Sequence, residues 1–154
     1  MDVSLRLHST LDDALDLAPA LEVFIRESLE DLRDDPAPEG CGEGLLKRVI
    51  GTPEGVVLSA YLPGDGGRVG YCVTGPLLDP LAGDQSPMVL ALWVDPDWRR
   101  RGLARALVAR IREELGSRGL GVLSARAGHN DDALISMGER WGFVRSWEVM
   151  VREE

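Results

Sequence analysis

The run Met88-Val89-Leu90-Ala91-Leu92-Trp93-Val94 carries no charged or hydrogen-bonding side chain except the Trp93 indole, and it stops at Asp95-Pro96. A strand that alternates apolar and polar can leave one face in water; a continuously apolar one is buried on both faces. That requirement points to a sheet with helices packed on each side. At 154 residues and 44% hydrophobic, the chain is long enough to bury such a core as one domain spanning residues 1–154.

The other elements supply the cover. Val3-Ser4-Leu5-Arg6-Leu7 alternates as a short strand. Asp12-Asp13 opens a helical stretch whose Leu21, Ile25, Leu29 and Leu32 keep one apolar face, with Pro19 kinking it or marking a restart. A loop follows at 34–40, then a second helix through Leu45, Leu46, Val49 and Ile50, ending near Gly51-Thr52-Pro53. Residues 56–62 and 68–74 form an antiparallel pair around a turn, and residues 76–87, with several Pro and Gly, read as a loop before the central strand. A long helix spans about 101–117, with Leu103, Leu107, Ile111 and Leu115 on one face and Arg101 and Arg105 on another. A strand at 122–127, a helix from Asp131 or Asp132 to about Trp141, and a last strand at 143–151 complete the order β-α-α-β-β-β-α-β-α-β. The expected class is α/β, a mixed sheet flanked by helices on both faces.

Several function classes are disfavoured. No apolar run approaches the length of a membrane helix. Met1-Asp2-Val3-Ser4 shows neither a basic nor an apolar leader, and two cysteines, Cys41 and Cys72, make neither a disulfide framework nor a zinc spacing, so a cytoplasmic protein without a metal is expected. The net charge of -9 argues against nucleic acid as a partner. The charge is uneven: residues 1–97 carry 6 Lys+Arg against 18 Asp+Glu, and residues 98–154 carry 11 against 8. Such a split fits a site with an anion at one end and a cation at the other, or simply a solvated surface.

The basic end is concentrated. Asp95-Pro96-Asp97-Trp98-Arg99-Arg100-Arg101-Gly102-Leu103-Ala104-Arg105 leads from the apolar strand into the long helix. Gly102 and Ala104 remove bulk where the first helical N–H groups are free, and the helix dipole favours an anion there. A diphosphate cradle is the reading that uses all of these features. Neither G-x-x-x-x-G-K-[ST] nor a G-x-G-x-x-G after the first strand is present.

This segment resembles the acetyl-CoA-binding motif of the GNAT acetyltransferase superfamily, [Arg/Gln]-x-x-Gly-x-[Gly/Ala], at Arg99, Gly102 and Ala104. Asn130, Ala133 and Trp141-Gly142-Phe143 are similar to the family's second block. The resemblance implies a sheet splayed between its fourth and fifth strands, and a transfer of acetyl from acetyl-CoA to an amine by direct attack in a ternary complex. It implies that the backbone of residues 100–105, Leu103 included, holds the pyrophosphate, with Arg100, Arg101 or Arg105 pairing with it or with the ribose phosphate. It further implies that Leu92, Trp93 and Val94 present the strand to the pantetheine arm, with the backbone of Leu92 and Val94 pairing with it. The Val94 N–H then polarises the thioester, and Asn130 reaches the pantetheine. The expected acceptor is a small-molecule or peptide amine, cationic by the acidic first part, with neither nucleic acid nor membrane as partner; monomer and homodimer both stay open.

Two departures matter. Where many members carry a Tyr four residues before the Gly of Gly-Phe, this chain has Gly138, and Asn130 sits one residue further from Gly142 than usual. The usual general acid is therefore missing, and the catalytic residues stay unassigned. Glu27, Glu30, Asp31, Asp34 and Glu43 form the pool for a general base, while Asp95 is expected to cap the strand-to-helix turn. His8 and His129 are read as structural or incidental, Cys72 as core, and Trp93, Tyr61 and Tyr71 as either pocket wall or core. A rival reading is a catalytically weak acyl-CoA-binding module of the same fold; a nucleotide-binding α/β domain is a third.

Overall fold

The computed structural model describes residues 2–32, 36–64, 66–127, 131–146, 150 and 152. Five strands lie in sequence order: β1 (Ser4–Leu7), β2 (Val56–Tyr61), β3 (Arg68–Leu78), β4 (Gln85–Val94) and β5 (Ser124–Ala125). The first four are antiparallel and β5 pairs parallel to β4, so the sheet is mixed as expected.

Both faces of β4 are covered. On one side Leu17, Leu21, Leu46 and Val49 pack against Val57, Tyr71, Val73 and Ala91; on the other Leu103, Leu107, Ile111 and Leu115 pack against Val56, Leu58, Ala60 and Cys72. Those four α4 (Leu103–Ser117) side chains are each at most 1% exposed. Each contributes about 1.5–3 kcal/mol of burial, so this stripe anchors the helix.

The first helical stretch restarts as Pro19 suggested. Thr10 caps α1 (Leu11–Ala14) by accepting the Asp13 N–H at 3.2 Å, a 3-10 turn covers Leu15–Leu17, and α2 (Ala18–Leu32) begins with Pro19 in its first turn, where the missing N–H costs no helical bond. The start of α3 (Cys41–Val49) is capped from α2: Glu22 Oε1 accepts the N–H groups of Gly40 and Cys41.

Four expectations are corrected. The loop expected at 76–87 is confined to residues 79–84; β3 and β4 continue as a hairpin to Leu78 and Gln85, and Pro76 faces Pro87 across it. Neither proline needs to donate, because β2 stops opposite Thr74 and β5 begins opposite Met88. The long helix starts at Leu103 rather than Arg101, because Gly102 is left-handed at φ +81°. Arg101 thus precedes the helix and shares no helical face with Arg105. The strand expected at 122–127 is regular only at Ser124–Ala125. Residues 143–146 form no strand, and residues 147–149 and 151 lie outside the described ones. The helix expected from Asp131 or Asp132 is α5 (Asp132–Arg140), capped by the Asp131 carboxylate accepting the Leu134 N–H at 3.1 Å.

A bulge falls in β4. Val73 pairs with Ala91 but Thr74 with Val89, which leaves Leu90 unmatched and puts Leu90 and Ala91 on the same face. Beyond it, Ala91 and Trp93 face α1–α3, and Leu92 and Val94 face α4.

Candidate functional site

The site is built from the end of β4 and the start of α4. The Asp95 N–H donates to Val69 O at 2.8 Å. Antiparallel strands alternate hydrogen-bonded and non-hydrogen-bonded pairs, so Val94 (opposite Gly70) and Leu92 (opposite Cys72) turn their N–H and C=O away from β3. On that side β5 registers only with Met88 and Val89. The described part of the ladder ends there, and the β4 edge at residues 92–94 faces the gap. Arg99 Nε fills one place on it by donating to Val94 O at 3.0 Å. The Val94 N–H remains a donor turned toward the gap.

A tight turn links this edge to α4. Asp95 Oδ1 accepts the Asp97 N–H at 2.9 Å, capping the 3-10 turn Pro96–Trp98; this is the capping role expected of it. Arg100 then takes φ +64° and Gly102 φ +81°. A Cβ on Gly102 would meet nothing within 4 Å, so the left-handed backbone, not crowding, calls for glycine, and the space beside it is open. No side chain caps α4 and no acidic residue stands in its first turn. The N–H groups of Leu103, Ala104 and Arg105 therefore face outward from the positive end of a 15-residue helix. Arg100, Arg101 and Arg105 are all exposed, and the Arg101 guanidinium lies 4.8 Å from the centre of the Trp98 ring.

The opposite face of β4 is aromatic. Trp93 stacks on Tyr71 at 5.6 Å and 23°, and Phe24 meets Tyr71 edge-on at 6.3 Å. Tyr71 is 2% exposed; burial pushes its hydroxyl up to about 12, with Arg68 opposing and Glu27 adding to the shift. Trp93 is half-buried beside this core. The Tyr61 hydroxyl is engaged, accepting from Arg68 Nη2 at 2.9 Å.

Other sequence candidates resolve as follows. His8 is 5% exposed and lies between Asp13 Oδ2 and Ser59 Oγ, both at 2.9 Å, a structural role. Cys72 is fully buried, and burial pushes its thiol up to about 12. Of the carboxylates, Glu27 and Glu30 are exposed on α2 and Glu43 pairs with Lys47 at 3.4 Å. Asp34, His129 and Asn130 lie outside the described residues, as does the Asp31 side chain. Gly138 sits in α5, where a Cβ would meet only Phe143 Cβ at 3.8 Å, so side-chain room exists. The Arg99 bond, the Trp98–Arg101 contact and the Asp13–His8–Ser59–Arg68 network went unread in the sequence. The proximity of Trp98 to the arginine run was the one signal available.

The Acetyltransferase (GNAT) family profile matches residues 22–143. The chain belongs to the GNAT acetyltransferase family. It is therefore an acetyltransferase, and its acyl donor is acetyl-CoA. Solved structures show the same fold. The chain is similar to ribosomal-protein-alanine N-acetyltransferase from Brucella melitensis biovar Abortus 2308, with 21% identity, TM-score 0.67 and all of both chains covered. It is similar to aminoglycoside 6'-N-acetyltransferase AAC(6')-Ih from Acinetobacter baumannii, with 15% identity, TM-score 0.70, and 99% of this chain and 98% of that one covered. It is also similar to AAC(6')-Iy in complex with a bisubstrate analogue, CoA-S-monomethyl-acetylneamine, with 15% identity, TM-score 0.73, and 100% and 99% covered. No curated protein matches the sequence. No described helix is long and apolar enough to cross a membrane.

Proposed function

We propose that residues 1–154 act as one domain that moves an acetyl group from acetyl-CoA to the amine of a cationic small-molecule or peptide acceptor, by direct attack in a ternary complex. One observation carries the reading: a single turn, residues 95–102, joins the open β4 edge at residues 92–94 to the uncapped N-terminus of α4. An extended amide-bearing arm fits the first, a diphosphate the second.

In this reading the backbone of Leu92 and Val94 pairs with the pantetheine arm, flanked by Trp93. The N–H groups of residues 100–105 receive the diphosphate, with Gly102 open beside them. The Val94 N–H donates a hydrogen bond to the thioester oxygen as negative charge grows on it. The neutral amine nitrogen forms a bond to the carbonyl carbon, the C–S bond breaks, the thiolate leaves with its electron pair, and the nitrogen gives up one proton to solvent. A thiolate with an ordinary pKa near ~8.5 is a tolerable leaving group, and solvent protonates it in the absence of a tyrosine at Gly138. Asn130 is assigned to the pantetheine by family resemblance alone.

A cationic acceptor is supported by the acidic first part of the chain and by exposed Glu27 on the side of β4 that carries Trp93. Amine acceptors are named for the similar structures: an aminoglycoside for one, a ribosomal-protein alanine for another. Thiol release from acetyl-CoA across a panel of aminoglycosides, polyamines and peptides tests this. Release with cationic amines and little with neutral ones is expected. Tight CoA binding with release from no amine would instead favour an acyl-CoA-binding module, the reading that Gly138 supports.

A further inference from the structure

Of the four arginines around the turn, one is already committed, since Arg99 Nε is bonded to Val94 O. Among the described residues no ion pair involves Arg100, Arg101 or Arg105. Among the described residues, only Arg101 of these three lies over a ring, its guanidinium carbon 4.8 Å from the Trp98 centroid. The backbone makes that contact possible. Trp98 ends a 3-10 turn, and the left-handed Arg100 at φ +64° and Gly102 at φ +81° bracket Arg101 on both sides. Trp98 is itself half-buried against the α4 core, so its ring has packing partners of its own.

We propose that Trp98 is a positioning residue for the donor, its ring holding Arg101 ready beside Gly102 as the charged arm that grips the diphosphate. An arginine loses rotamer freedom when it is fixed in place. An Arg101 resting over the Trp98 ring has lost part of that freedom before the ligand arrives, so less is lost on binding. A guanidinium over a ring still offers a planar fork of N–H groups, whereas an ammonium is a more strongly hydrated point charge without that plane. The inference rests on reading this turn as the diphosphate cradle, and its test separates the two.

The test is calorimetric titration of CoA into the wild-type protein and into Arg101→Ala, Arg101→Lys, Trp98→Phe, Trp98→Leu and the double variant Trp98→Leu/Arg101→Ala, with melting temperature followed alongside. Arg101→Ala is expected to weaken CoA binding about tenfold, and Trp98→Leu about three- to fivefold. The double variant should be no weaker than Arg101→Ala alone. Trp98→Phe keeps a ring and should stay within about twofold of wild type, while Arg101→Lys keeps the charge but not the stack and should lose most of what alanine loses. Losses that multiply in the double variant, an Arg101→Lys variant as tight as wild type, or a Trp98→Phe variant as weak as Trp98→Leu would each overturn the positioning role. If Trp98→Leu does not fold, Arg101→Lys and Trp98→Phe decide alone, and a Trp98→Phe variant weakened about fivefold or more overturns the role. Gly102→Glu serves as the control on the cradle: if it binds CoA normally, the cradle reading fails, whatever Trp98 does.

Discussion

Ser59 shows how one buried hydroxyl can join groups from three strands' worth of chain. Its Oγ accepts from Arg68 Nε at 3.0 Å and shares a hydrogen bond with His8 Nε2 at 2.9 Å. The other ring nitrogen, His8 Nδ1, pairs with Asp13 Oδ2 at 2.9 Å. Arg68 completes the network on Asp16 at 3.0 Å and on the Tyr61 hydroxyl. Ser59→Ala would strand a buried imidazole nitrogen and a guanidinium N–H together. A loss of about 1–3 kcal/mol in urea unfolding is expected; a change below about 0.5 kcal/mol would mean that water or a rearranged neighbour replaces the hydroxyl. Little of this was legible in the chain. His8, Ser59 and Arg68 are far apart in sequence and meet only through β1–β2–β3 register. The arginines at 99–101 were legible as a basic turn. Their separate tasks were not, because those depend on two left-handed φ values, one of them on a non-glycine residue.

Among elements, the stripe of Leu103, Leu107, Ile111 and Leu115 was readable from spacing, since a helix that buries one face must repeat that way. The β3–β4 hairpin was not: Pro76 and Pro87 read as loop residues, and only the missing third-strand partners make them harmless there. Two glycines in helices separate crowding from freedom. A Cβ on Gly42 in α3 would come 2.1 Å from the Ala18 carbonyl oxygen of α2, whereas one on Gly138 in α5 meets only Phe143 at 3.8 Å. Gly42→Ala should destabilise by about 1–3 kcal/mol as the two helices are pushed apart, outweighing the helix propensity it gains. Gly138→Ala should stabilise by about 0.5–1 kcal/mol. Thermal unfolding of the pair checks both signs; equal shifts would deny the close α2–α3 approach. Gly102 is a third case. Its φ of +81° makes any side chain strained, and a carboxylate there opposes both the dipole of α4 and an incoming diphosphate. Gly102→Glu should remain folded, because the space is open, and lose CoA binding in calorimetry.

The whole molecule should report on its two cores through alkaline pH. Cys72 lies in the core under α4 and Tyr71 in the core under α1–α3, on opposite faces of β3. Burial pushes the thiol from 9.0 to about 12 and the phenol from 10.0 to about 12. Both groups are neutral when protonated, so between the unfolded and folded values the folded chain binds more protons than the unfolded one. Stability therefore falls as pH rises through that window. The loss begins near pH 9 as the unfolded thiol ionises, steepens near 10 as the unfolded phenol follows, and is complete only near 12. Few other groups blur it, because the chain has a single lysine, Lys47, and one other tyrosine, Tyr61. Urea unfolding midpoints measured from pH 8 to 11 should be flat at first and then decline. Cys72→Ala lowers the whole curve by leaving a small cavity, yet it should move the onset of decline from near pH 9 to near pH 10, so the shape and not the height is diagnostic. An onset unchanged by that substitution would show that the thiol does not govern it. The same burial protects the sulfur: iodoacetamide at pH 7.5 should label Cys41 alone in the folded protein and both cysteines in urea, because the thiolate is the nucleophile and Cys72 offers neither thiolate nor access.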